Sequence, residues 1–120
     1  MKVIIAGGRD FDNYNLLTTT ISNFEKEHGK VTEVISGTAR GADILGESYA
    51  NVNNITVKKF SPDWDNLGKR AGYVRNTEMA AYAKKHNGFL IVFWDKKSKG
   101  TKHIIDYAKK IKLETIVIHY

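Results

Sequence analysis

Three short turns in this chain hold residue types suited to gripping anionic oxygen, and each follows a run of β-branched or aromatic residues. Val3-Ile4-Ile5-Ala6 leads into Gly7-Gly8-Arg9-Asp10. Val34-Ile35 leads into Ser36-Gly37-Thr38-Ala39-Arg40-Gly41-Ala42-Asp43, and Leu90-Ile91-Val92-Phe93 leads into Trp94-Asp95 and then Ser98-Lys99-Gly100-Thr101. Glycine lets backbone approach a ligand, hydroxylated residues at a helix start sit beside free N–H groups, and arginine matches the geometry of phosphate or carboxylate. In an open parallel sheet the C-terminal strand ends share one edge, so the three turns are expected to converge on one crevice for a nucleotide-like ligand.

Each turn has its own chemistry. Gly7-Gly8 lacks the Gly-x-Gly-x-x-Gly spacing, so no dinucleotide is inferred, and Asp10 either caps the next helix or takes a ligand hydroxyl. In the second turn the Ser36 and Thr38 hydroxyls, the free N–H groups and Arg40 can meet one anion, or the hydroxyls simply cap the helix. Ser98 to Thr101 repeats the arrangement, with Lys99 adding charge but without the P-loop spacing. Asp95 either faces the crevice as an acid or caps its own loop. Glu78, three residues after Arg75 on one helix face, is an acid or an ion-pair partner; these two and Arg75 are the candidate catalytic groups. Trp94 and Trp64 are candidates for stacking on a base. His28, His86, His103 and His119 show no metal-ligand spacing, and no Gly-x-Ser-x-Gly elbow is present, so neither a metal, a cofactor nor a hydrolytic triad is expected.

The elements that must position these groups alternate between strand-like and helix-like runs. A helix from about Asn13, capped by Asp12 or Asn13, presents Tyr14, Leu17, Ile21, Phe24 and His28 at helical spacing and stops at Gly29. A second, about Arg40 to Asn51, turns Ala42, Leu45, Tyr49 and Val52 to one face, with Gly46 allowing close approach to the sheet. Ile55-Thr56-Val57 reads as a strand. Phe60 to Asp65, around the only proline, is a candidate lid. A helix over about Leu67 to Lys85, a strand over Phe89 to Phe93, a helix over about Thr101 to Lys112 burying Ile104, Ile105, Ala108 and Ile111, and a strand over Glu114 to Tyr120 complete the chain. This predicts an α/β, Rossmann-like, doubly wound parallel five-stranded sheet of order 3-2-1-4-5 with helices on both faces. Its switch point lies between the first and fourth strands, where Gly7-Gly8 and Trp94-Asp95 are expected to face each other.

One core suffices for 120 residues, of which 42% are hydrophobic and 27% charged, an ordinary globular balance. The absence of cysteine excludes disulfides, thiolate metal sites and cysteine nucleophiles. Lys2 to Ala6 reads as strand from the outset, with no leader-like apolar run or membrane-length segment, so a soluble cytoplasmic protein with no membrane partner is expected. The net charge of +6 favours phosphorylated or polyanionic partners. Much of it comes from Lys96, Lys97, Lys99, Lys102, Lys109, Lys110 and Lys112, which read as a solvated helix face.

Taken in order, the motifs are similar to the SLOG superfamily, the Rossmann-like group that includes DNA-processing protein A, the Lonely Guy phosphoribohydrolases and the YspA-like branch. The resemblance is strongest to the YspA-like pattern: Gly7-Gly8-Arg9-Asp10-Phe11, Ser36-Gly37-x-x-Arg40-Gly41-Ala42-Asp43, Asp63-Trp64, Gly68-Lys69-x-Ala71-Gly72, Arg75-Asn76-x-x-Met79, and Phe93-Trp94-Asp95-x-x-Ser98-x-Gly100-Thr101. It implies one SLOG domain over 1–120 that binds a nucleotide or nucleotide-derived signal, as sensor or sequestering protein. The implied pocket uses Gly7, Gly8, Ser36, Gly37, Arg40, Arg75, Asn76, Ser98, Gly100 and Thr101, and the implied assembly is a homodimer. Lonely Guy enzymes carry Pro-Gly-Gly-x-Gly-Thr-x-x-Glu. Here Ile104 stands at the glutamate position and the Pro-Gly-Gly is absent. An N-glycosidase using Asp95 or Glu78, and a single-stranded DNA binder like DNA-processing protein A, are the two competing readings.

Overall fold

The computed structural model describes Met1–Tyr120. In chain order it contains β1 (Lys2–Gly7), α1 (Tyr14–His28), β2 (Glu33–Ser36), α2 (Ala42–Val52), β3 (Thr56–Lys59), α3 (Trp64–Leu67), a 3₁₀ turn (Gly68–Arg70), α4 (Ala71–Lys85), β4 (Phe89–Trp94), α5 (Lys99–Lys110) and β5 (Glu114–His119). The strands form one parallel sheet of order β3-β2-β1-β4-β5, as the alternating pattern predicts. β1 and β4 lie at its centre in the register Ile5 to Ile91 and Gly7 to Phe93. Both are buried on both faces, which is why they read as unbroken apolar runs rather than alternating ones.

Side chains alternate across the sheet and build a core on each side. Val3, Ile5, Val34, Ile91 and Phe93 meet Leu17, Ile21 and Phe24 of α1 and Ala42, Tyr49 and Ala50 of α2. Ile4, Ala6, Ile35, Leu90 and Val92 meet Met79, Ala80 and Ala83 of α4 and Ile104, Ile105 and Ala108 of α5. α2 comes close to β1 because residue 46 is glycine: a Cβ there would lie 2.8 Å from Ile5 Cγ2. No helix is long and apolar enough to cross a membrane.

Several expected boundaries move. The helix expected over about Leu67 to Lys85 begins as α4 at Ala71, and a short helix not expected from the sequence, α3, starts inside the Phe60 to Asp65 stretch and ends at Leu67, because Gly68 sits at φ 57°, outside helical space. α2 begins at Ala42 rather than Arg40, since Gly41, at φ 79°, precedes it. Val52 is 74% exposed and does not share the buried face of α2. His28 is exposed at the end of α1, although its ring still lies 4.8 Å from Phe24 and 4.7 Å from Phe89. α5 starts two residues earlier than expected, behind Ser98, whose hydroxyl accepts from the Thr101 N–H at 3.3 Å. Its lysines are exposed, and Lys102 pairs with Asp106 at 2.7 Å.

Candidate functional site

At the C-terminal edge, where β1 and β4 part, two adjoining cavities share Arg9, Ala39 and Arg75 as walls. The inner one, about 80 Å³, is lined by the end of β1, the β2–α2 turn, the second and third turns of α4 and the start of α5; Asp43, Asn76, Ser98, Gly100 and Thr101 supply polar groups beside its arginines. The outer cleft, about 420 Å³, is bounded by Gly37, Thr38, Arg40 and the Ser61-Pro62-Trp64 segment. Loops from four separate stretches of chain thus meet at the crevice that a doubly wound sheet opens at its switch point.

Arg75 is held in place by two hydrogen bonds. Its Nη1 donates to the Gly37 carbonyl at 2.5 Å and its Nε donates to Asn76 Oδ1 at 3.0 Å. Asn76, nearly fully buried, donates in turn to the Gly100 carbonyl at 3.2 Å and lies 3.3 Å from His103 Nδ1. Burial lowers the pKa of Arg75, the nearby Asp43 carboxylate opposes that shift, and Arg9 adds to it. An arginine remains charged through such a change. Burial likewise lowers the pKa of His103, and Asp106 opposes that shift.

Asp43 is the carboxylate of this site. It is 4% exposed, and its Oδ2 accepts the Ala39 N–H at 3.2 Å. Burial pushes its pKa up to about 6, opposed by the Ala39 N–H, Arg75 and Arg9 and reinforced by Glu47. Gly37 makes the arrangement sterically possible, since a Cβ there would lie 2.8 Å from Asp43 Oδ2 and 3.0 Å from Arg75 Cδ and Nη1.

The residues picked out from sequence divide into walls and supports. Gly7, Arg9, Asp43, Arg75, Asn76, Ser98, Gly100 and Thr101 line the inner cavity; Arg9, Gly37, Thr38, Arg40 and Arg75 line the outer. Ser36 is turned inward, donating to Glu47 Oε2 at 2.6 Å and accepting the Thr38 N–H at 3.0 Å. Gly8 and Gly41 line neither cavity. Lys99 is exposed and lines neither cavity.

The two proposed acids also lie outside. Asp95 accepts the Lys97 and Ser98 N–H groups at 2.8 Å each, and these bonds hold its carboxyl below the usual carboxylate range. It caps the loop before α5. Glu78 is exposed and unpaired, while Arg75 is turned to Gly37 instead. The tryptophans separate in the same way. Trp94 donates its indole N–H to the Ser98 carbonyl at 3.1 Å and lines neither cavity, whereas half-exposed Trp64 forms a wall of the outer cleft.

Sequence reasoning missed the support supplied by Tyr120. Its hydroxyl donates to Asp10 Oδ1 at 2.5 Å, its ring packs edge-on against Phe11 at 4.9 Å, and a Cβ on Gly8 would meet its hydroxyl. Burial and the Asp10 bond raise the Tyr120 pKa. The contact spans almost the whole chain, so no local pattern signals it. Tyr120→Phe is expected to cost about 1 kcal/mol. Faster amide hydrogen exchange at Arg9 and Asp10, with α4 unchanged, is the readout; equal exchange would remove the supporting role.

No solved structure matches the chain. The "Gene 61 protein" of Mycobacterium phage D29 is 28% identical over 122 aligned positions, covering 96% of this chain and 94% of that protein. Residues 1–66, which include the turns at 7–10 and 36–43, match the family described as the YspA, cpYpsA-related SLOG family. That match takes in more than half of the chain and agrees with the strand order and the motifs named above, so this protein belongs to the YspA, cpYpsA-related SLOG family.

Proposed function

We propose that the protein binds a phosphorylated nucleotide or nucleotide-derived ligand across the two cavities, as a sensor or sequestering protein. One observation carries the reading: Arg9, Arg40 and Arg75, from three separate segments, wall adjoining cavities whose lining includes one carboxylate, Asp43. Arg9 and Arg40 make no ion pair within the chain. Ser98 and Thr101, at the start of α5, add polar lining to the inner cavity. Family membership supports a nucleotide-related ligand. Binding without turnover is favoured because Ile104, at the position where Lonely Guy enzymes carry their glutamate, contributes an apolar wall to the inner cavity. Asp95 and Glu78, the acids a glycosidase reading would use, line neither cavity.

Titration calorimetry with nucleosides and their 5′-mono- and diphosphates tests this. Phosphorylated forms are expected to bind at least about 10-fold tighter than the nucleosides, and Arg40→Ala to remove about 10-fold of that advantage, as for one charge-assisted hydrogen bond. Chromatography is expected to detect no released base. Equal affinity for nucleoside and nucleotide would end the anion-site reading.

A further inference from the structure

We propose that Asp43 accepts a hydroxyl of the ligand's sugar, so that the inner cavity takes the ribose and the arginine-lined outer cleft takes the phosphate. The inference rests on the nucleotide reading above and adds to it an orientation and a specificity.

Asp43 is 4% exposed, and it is the carboxylate among the residues that line either cavity. Its Oδ2 is occupied by the Ala39 N–H, while Oδ1 makes no hydrogen bond within the chain. No buried side-chain polar atom of the protein lacks a partner, so Oδ1 keeps access to the cavity that Asp43 lines. An acceptor held this way gains from a neutral O–H donor and loses from a phosphate oxygen, which it repels. Arg9 and Arg75 line both cavities, and the outer cleft adds Arg40 and no acid. The cleft with three arginines and no carboxylate suits the phosphate, and the cavity that holds Asp43 suits the sugar.

The groups facing Asp43 agree with this assignment. Arg75 on α4 and Arg9 on the β1–α1 loop favour its ionised form, and Glu47 on α2 opposes it. An empty site leaves the carboxyl with a pKa of about 6, whereas a donated hydroxyl favours the carboxylate. The preference for a ribonucleotide over its deoxy counterpart, a ratio in which the ionisation of the ligand's own phosphate cancels, should therefore rise between pH 5 and 7.

The test uses the four ribonucleoside 5′-diphosphates and their 2′-deoxy and 3′-deoxy counterparts, titrated into the full chain and into Asp43→Asn. The wild type is expected to lose about 10- to 100-fold in affinity when one of the two hydroxyls is removed, whichever base is present. Asp43→Asn is expected to bind ribo and deoxy forms within about twofold of each other. Equal binding of ribo and deoxy forms by the wild type, with phosphate dependence intact, overturns the sugar assignment and leaves the anion site standing. Discrimination that follows the base, or that survives in Asp43→Asn, also overturns it. Failure of every diphosphate to bind overturns both readings. The wild-type comparison requires no variant, and thermal unfolding of Asp43→Asn verifies that the variant is folded.

Discussion

Gly41→Ala is expected to destabilise the protein by about 3–5 kcal/mol and to lower its unfolding midpoint by about 10–20 °C. Gly41 adopts φ 79° and ψ −126°, a conformation that side-chain-bearing residues rarely enter. A Cβ at this position would lie 2.2 Å from the Gly8 carbonyl oxygen and 2.7 Å from the Arg9 carbonyl carbon, so the whole β1–α1 turn would have to move. That turn also receives the Ala42 N–H at the Gly8 carbonyl, 3.3 Å away. Moving it displaces Arg9 from both cavities and uncouples the start of α2 from β1. Gly68 is an internal control, having nearly the same backbone angles, φ 57° and ψ −136°, with nothing within 4 Å of the position a Cβ would take. Gly68→Ala therefore reports conformational strain alone, about 1–3 kcal/mol. Urea denaturation of the two variants side by side separates strain from collision. Equal losses would show that the contact with the Gly8 turn is unimportant.

Asp43→Asn is expected to raise stability at pH 7 by up to roughly 3 kcal/mol, an upper bound set by the pKa difference between 3.8 for an ordinary carboxyl and about 6 in the folded chain. Because the folded state holds this proton more tightly than the unfolded chain, the protonated carboxyl stabilises the fold. That contribution is complete below about pH 4, is lost as pH rises to about 6, and stays lost above. An asparagine is neutral throughout and keeps an oxygen for the Ala39 N–H. The difference in unfolding free energy between variant and wild type should therefore be small at pH 4, grow to pH 6 and then level off. A difference independent of pH would mean that Asp43 is not the buried titrating group. A gain in stability together with a loss of sugar discrimination is what a site under functional strain predicts.

The two outcomes bear on how much of this protein is legible in its sequence. The sheet order and the two apolar central strands follow from short-range signals: runs such as Val3 to Ala6 and Leu90 to Phe93 can be buried on both faces only at the middle of a parallel sheet. Boundaries are less legible where one backbone angle decides them. Gly68 lies inside a stretch whose composition suits a helix, and nothing local shows that it will adopt a positive φ.

For the site, the sequence by itself determined which turns end the strands and that arginines and small residues fill them, because those properties belong to each segment alone. Only the tertiary structure decided which side chains face the two cavities and which are consumed as supports. Ser36 bonds Glu47, Asp95 caps its loop, Trp94 braces the start of α5, and Tyr120 closes over Gly8 from the far end of the chain. Asp43 is the clearest case: its residue type was visible in the motif, but its desolvation and its free oxygen exist only once Gly37, Ala39 and Arg75 are packed around it. The direction of a side chain and the dielectric around it are set by neighbours distant in sequence, so neither can be read from a segment considered alone.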